Sequence, residues 1–235
     1  MSFYVSLGIV LLAMLIIAFL QLQPGAFSLL YHYCTGKYSK ARTSDMTLFF
    51  ILGVEVSSAA LFLCSYFFTN LFFLYCFRPE TSFWAWAAAG IFIALAFVGL
   101  FGYYRSGHGT RLFVSRGYAK AIDEKARAAK TRSDAFALGA FSGMAELIFT
   151  VPLYIVTSAE IMIMSTKFFP SYALTLLYIL TPTIPLFVTR WGFKSGRNLA
   201  DIQKIRVRDK NFTRLVLFAS YLTIAILMIF FRITR

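Results

Sequence analysis

Charge is scarce in this chain: Asp, Glu, Lys and Arg supply 14% of its 235 residues, while 59% are hydrophobic. A soluble domain carries roughly 25% charged and about 45–50% apolar residues, so a soluble core of this size is excluded. Histidine occurs only twice and cysteine three times, as Cys34, Cys64 and Cys76. The cysteines form no CxxC and no metal-ligand spacing, and an odd count builds no disulfide framework. They are read as small apolar residues. No acidic cluster, P-loop or dinucleotide pattern is present, and no cofactor is expected. No Lys or Arg precedes Lys37; without a basic leader, the first apolar run reads as a retained span.

What is present is a series of apolar runs of twenty residues or more, the length that crosses about 30 Å of hydrocarbon as a helix. Six spans are expected: about 3–30, interrupted at Pro24-Gly25; from about Thr47 to between Tyr66 and Phe77; then about 83–104, 135–166, 172–189 and 215–231. Most of the charge lies between these runs, in Arg105–Asp134 and Arg190–Lys210. The net charge of +13 therefore belongs to the positive-inside bias of membrane loops rather than to nucleic-acid binding. The connections after spans one, three and five hold three, eight and eight Lys or Arg, and those after spans two and four hold one each. This places the odd connections in the cytoplasm and both termini outside, in a bacterial or archaeal plasma membrane.

The fold class expected is all-α: a polytopic membrane protein of six transmembrane helices, arranged as two inverted three-helix repeats with broken helices. The halves are 1–104 and 135–235, joined by a basic cytoplasmic connector over 105–134. Pro24 and Pro152 fall at similar places in the first and fourth spans. Inverted repeats with helices broken near mid-membrane are a recurrent transporter design.

The polar residues inside the spans carry the functional reading. Ser142, Glu146, Thr150, Leu153, Thr157 and Glu160 follow at steps of three or four and so share a helix face. Glu146 lies about 18 Å in from Asp134 at 1.5 Å per residue, a depth at which an ionisable group faces a cavity and serves transport or proton relay. The alternative is a protonated acid acting as packing glue. Glu160 is expected near the outer surface, solvated. Glu55 and Ser58 lead a second such face, followed by Phe62, Ser65 and Thr69, with Glu55 about 12 Å deep. Pro152, the TPTIP stretch with Pro182 and Pro185, and the Pro24-Gly25 pair mark helix breaks, since each proline deletes a backbone bond. Glu146, Glu55, Thr150, Ser142 and Ser58 are the expected coupling site, lined by the breaks at Pro24, Gly25, Pro152, Pro182 and Pro185. In the connector, RSGHGTR (105–111) offers Arg105, His108 and Arg111 as an anion or headgroup contact.

Six spans, outward termini, a charged loop between halves and QPGA (23–26) beside a helix break together resemble the lysine-exporter (LysE) superfamily. That resemblance implies export of an amino acid or a metal ion. Its amino-acid branch carries Pro-Gly-Pro where this chain has Ala26, which leaves the substrate branch open. The similar disulfide-carrier proteins need a cysteine in the first span of each half, and no cysteine follows Cys76. The expected function is a secondary exporter of a small solute or metal ion, with membrane lipids as neighbours; a homodimer fits the size. The alternatives are an enzyme or flippase acting on phosphate-bearing lipid, and a scaffold subunit without transport.

Overall fold

The computed structural model describes residues 2–19, 23–75, 82–102, 116–144, 147–165, 171–194 and 210–230. Every regular element among them is helical: α1 (Ser2–Phe19), α2 (Gln23–Thr35), α3 (Lys40–Tyr75), α4 (Ser82–Phe97), α5 (Arg116–Ala128), α6 (Arg132–Gly143), α7 (Leu147–Ser165), α8 (Ser171–Leu180), α9 (Ile184–Lys194) and α10 (Lys210–Met228). A π-helical turn, Val98–Gly102, extends α4, and a 3₁₀ turn, Thr181–Thr183, joins α8 to α9. Four stretches are long and apolar enough to cross a membrane: Lys40–Tyr75, Phe83–Phe101, Leu147–Met164 and Tyr172–Gly192. Phe3–Ala18 and Leu215–Met228 are apolar but shorter.

The prolines sit at helix starts, in the turn and inside one helix. Pro24 is the second residue of α2, where its missing N–H is an orphan in any case; the Pro24-Gly25 pair, expected as an interruption, belongs to the start of a helix. Pro182 sits in the 3₁₀ turn and Pro185 is the second residue of α9. At Pro152 the chain does not unwind, since α7 keeps α-helical character through it.

α3 runs for 36 residues, about 54 Å at 1.5 Å per residue, and its most extensive partner is α6. Small residues make this possible. A Cβ on Gly53 would collide with the Phe136 carbonyl oxygen and stand 2.9 Å from the Ala140 nitrogen. A Cβ on Gly139 would strike the Phe50 carbonyl oxygen, and one on Gly143 the Ser57 hydroxyl. Gly139 and Gly143 are four apart, as are Gly53 and Ser57, so each helix turns one smooth stripe to the other. Apolar helices that gain nothing from leaving lipid associate through such close backbone approach.

Two separate apolar cores flank this crossing. One gathers Ile9, Ile16, Phe62, Phe92, Phe149, Leu153, Tyr178, Tyr221 and Ile224 from α1, α3, α4, α7, α8 and α10. The other gathers Phe27, Leu30, Phe50, Val54, Ile122, Ala126, Leu138 and Leu186 from α2, α3, α5, α6 and α9. α5 docks on this second core. The Tyr33 hydroxyl donates to Asp123 Oδ1 at 2.9 Å, Arg127 pairs with the same carboxylate at 2.9 Å, and Tyr118 stacks on Phe141 at 4.2 Å while donating to its carbonyl. Burial pushes the Tyr118 phenol up to about 12, so it remains a donor at neutral pH. α6 begins with a capping box: Thr131 accepts from the Asp134 N–H, and Asp134 accepts from the Thr131 and Lys130 N–H groups.

Substituting Gly139→Leu should lower stability by at least about 3 kcal/mol, at the upper end of overpacking costs because backbone rather than side chain must yield. Gly90→Leu, where a Cβ meets nothing within 4 Å, should leave it unchanged; detergent-titrated unfolding followed by circular dichroism reads both. The three hydrogen bonds at Asp134 hold its carboxyl below the usual carboxylate range. Its contribution is therefore present at neutral pH and lost as pH falls through its depressed value. Asp134→Asn should melt earlier than the parent chain at pH 7, and the two melting curves should converge at acid pH.

Candidate functional site

The two apolar cores are separated by a layer of polar residues on α3, α6–α7 and α8–α9. On α3 it lies between Val54 and Phe62 and contains Glu55, Ser57 and Ser58. On α8–α9 it lies between Tyr178 and Leu186 and contains Thr181, Pro182 and Thr183. On α6 it follows Leu138 and contains Ser142 and Gly143, with Thr150 one turn beyond the break on α7. All of these hydroxyl side chains are buried.

Within this layer the Glu55 carboxyl, half-buried, stands beside the Thr183 hydroxyl, and its Oε2 has no hydrogen-bond partner among the described residues. The hydroxyl protons are committed elsewhere. Thr183 donates to the Leu180 carbonyl at 2.8 Å, Thr181 to Leu177 at 2.9 Å, Ser142 to Gly139 at 2.8 Å and Ser57 to Val54 at 2.9 Å. A hydroxyl has one proton and two lone pairs. With that proton turned back onto its own helix, as Ser and Thr do inside apolar helices, the lone pairs are what each group can offer a ligand. Pro182 and Pro185 withhold two further N–H donors, and the Thr181 carbonyl accepts from the N–H of Ile184 instead. At these four hydroxyls and two prolines the layer therefore offers acceptors rather than donors, an arrangement that suits a cation or an N–H-bearing solute.

The structure brings Glu55, Ser58, Ser142, Thr150 and Pro182 into or against this layer; Pro185 is half-buried at its edge and Pro152 half-buried on α7. Ser58, Phe62, Ser65 and Thr69 all lie on the buried side of α3, as their spacing requires. Glu146, Arg105, His108 and Arg111 lie outside the described residues, as do the side chains of Pro24 and Gly25. Glu160, expected in water, is instead buried at 1% exposure. The reason is the place of α7: 61% of its apolar window is buried, against 33–44% for the other three spanning helices, so α7 is enclosed along its length. Beyond the layer, the buried Thr157 and Tyr178 hydroxyls lie side by side, beneath Phe62 and Tyr154, whose ring centroids stand 4.8 and 5.8 Å from that of Tyr178. The paired small residues at 53/57 and 139/143 went unread in the sequence. Their signal was the Gly-x-x-x-Gly in GAFSG. Among the described residues no three His, Cys, Asp or Glu side chains converge as a metal site.

No protein-family model, curated protein or solved structure matches this chain.

If Glu55 Oε2 is an unpartnered acid in an apolar bundle, a hydrophobic carbodiimide should modify it in membranes. Peptide mapping should find the adduct on Glu55, with loss of that adduct in Glu55→Gln. Asp123, half-buried on α5 and engaged by Tyr33 and Arg127, should stay unlabelled by the same membrane-partitioned reagent.

Proposed function

We propose that the chain is a secondary transporter of a small cationic or N–H-bearing solute, with Glu55 and Glu146 carrying the coupling proton or cation. The observation that carries this reading is the layer itself, with a Glu55 carboxylate oxygen that has no hydrogen-bond partner among the described residues set between two apolar cores. A bundle built only to pack has no reason to keep such a group, because an unmade hydrogen bond to a charged group is costly in low dielectric.

The inverted-repeat reading, six spans in two halves, draws support from the pattern of helix contacts. Exchanging α1–α2 with α6–α7, α3 with α8–α9, and α4 with α10 relates several contacts of the bundle to one another. α4·α10 maps onto itself, α1·α7 onto α2·α6, α2·α3 onto α7·α8, and α3·α7 onto α2·α9, while the extensive α3·α6 contact has only the smaller contact of α1 with Thr181–Thr183 as its counterpart. In this reading the basic connector faces the cytoplasm, both termini face outward, and the polar layer is the mid-membrane site to which each side gains access in turn. An exporter of the lysine-exporter type is the form that the charge pattern and the QPGA sequence at the start of α2 support best.

Reconstituted into liposomes with a luminal pH dye, the protein should couple proton movement to the flux of a member of a panel of amino acids and divalent cations. Glu55→Gln should cut that flux about tenfold or more, equivalent to roughly 1.5–3 kcal/mol for a contact to a charged group, and Glu146→Gln should abolish its pH dependence. Parental flux and pH dependence in both variants would refute the assignment.

A further inference from the structure

A second feature lies away from the polar layer, at the end of the bundle where basic residues gather. The first turns of α3 and the junction before α6 enclose a cleft of about 620 Å³ whose lining includes Ser39, Arg42, Asp45, Lys130, Thr131 and Arg132. Three cations face one carboxylate there. That carboxylate is already neutralised, because Arg132 pairs with Asp45. Both guanidinium groups are held in place by rings and oxygens: Arg42 lies 4.4 Å above the Tyr38 ring and donates to the Lys130 carbonyl at 2.8 Å, and Arg132 lies 5.6 Å above Phe49. The Lys130 ammonium has no ion pair among the described residues. Arginines ordered in this way lose little freedom on meeting an anion, and their planar forks match phosphate oxygens.

The cleft also opens onto an apolar track. On α3, Asp45, Phe49, Leu52, Val56, Leu63 and Phe67 follow at helical steps of three, four or seven and so share one face. Leu52, Val56, Leu63 and Phe67 are 50%, 53%, 51% and 59% exposed. α3 exceeds the hydrocarbon thickness of about 30 Å, so its first turns stand at headgroup level while this track descends among the acyl chains.

We propose that this cleft binds an anionic phospholipid, its phosphate on Arg42, Lys130 and Arg132 and an acyl chain along the exposed face of α3. A soluble phosphate would use the cationic rim and leave the track unused; a zwitterionic lipid would use the track but bring its own cation to the rim. Because the rim spans the starts of α3 and α6, bound lipid ties together the two helices of the glycine crossing and raises stability. Transport has no part in this proposal.

The test is thermal unfolding of the purified protein in neutral detergent, with phosphatidylglycerol, phosphatidylcholine or inorganic phosphate added. Phosphatidylglycerol should give a saturable rise in melting temperature that weakens with ionic strength; the other two should not. Arg42→Gln with Lys130→Gln should cut that rise by half or more, while Lys120→Gln, whose ammonium pairs with Glu124 at 3.7 Å, should keep it. Lys130→Gln alone, which removes only an exposed side chain, carries the test should the double variant fold poorly. An equal response to phosphatidylcholine, the same rise from inorganic phosphate, or an undiminished response in the Lys130 variant would overturn the proposal.

Discussion

The rest of the bundle is arranged around the contact of Gly53 and Ser57 with Gly139 and Gly143. Helices of this composition gain nothing from hiding leucine from lipid, so their association rests on how closely their backbones approach. Here the approach brings the Phe136 and Phe50 carbonyls against bare Cα positions. That contact sets α3 against α6 in register. It also sets the depth at which Ser57 and Ser142 stand, each within one turn of a crossing glycine. The layer containing Glu55 is placed by packing that contains almost no polar group itself.

The chemistry of the layer follows from a local rule rather than from any assembled catalytic set. Hydroxyls in an apolar helix return their protons to a carbonyl three or four residues back, as Thr181, Thr183, Ser142 and Ser57 all do. Prolines at 182 and 185 withdraw two more donors from the same place. What these groups leave is oxygen lone pairs, beside the Glu55 carboxyl. A surface of that kind discriminates by charge and by hydrogen count, so a solute with N–H groups or a positive charge fits it better than an anion does.

Much of this was legible in the sequence. Long apolar runs between basic stretches located the helices, and polar residues recurring at steps of three or four put Ser58, Ser65, Thr69, Thr150 and Thr157 on buried faces. TPTIP announced a non-α turn because two prolines three apart cannot both sit inside one helix. What depends on neighbours was not legible. Glu160 was expected in water since its depth along the chain is near an end; enclosure of α7 on several sides is a property of the bundle. The basic cleft joins residues about ninety positions apart, Arg42 with Lys130 and Asp45 with Arg132, which no local pattern announces. The glycine pairs carried a signal, but each glycine alone reads equally well as helix-tolerated small residue. Their meaning comes from the matching stripe on a helix distant in sequence.

The division into two apolar clusters has its own consequence. A single continuous core resists bending equally in all directions, because any shear must tear interlocked side chains. Here the interlocked regions stop on either side of a band of small and hydroxylated groups, which on α8–α9 coincides with the Thr181–Thr183 turn. The two clusters are therefore joined through the unbroken α3 and its close contact with α6 at Gly53, Ser57, Gly139 and Gly143, rather than through a shared apolar core.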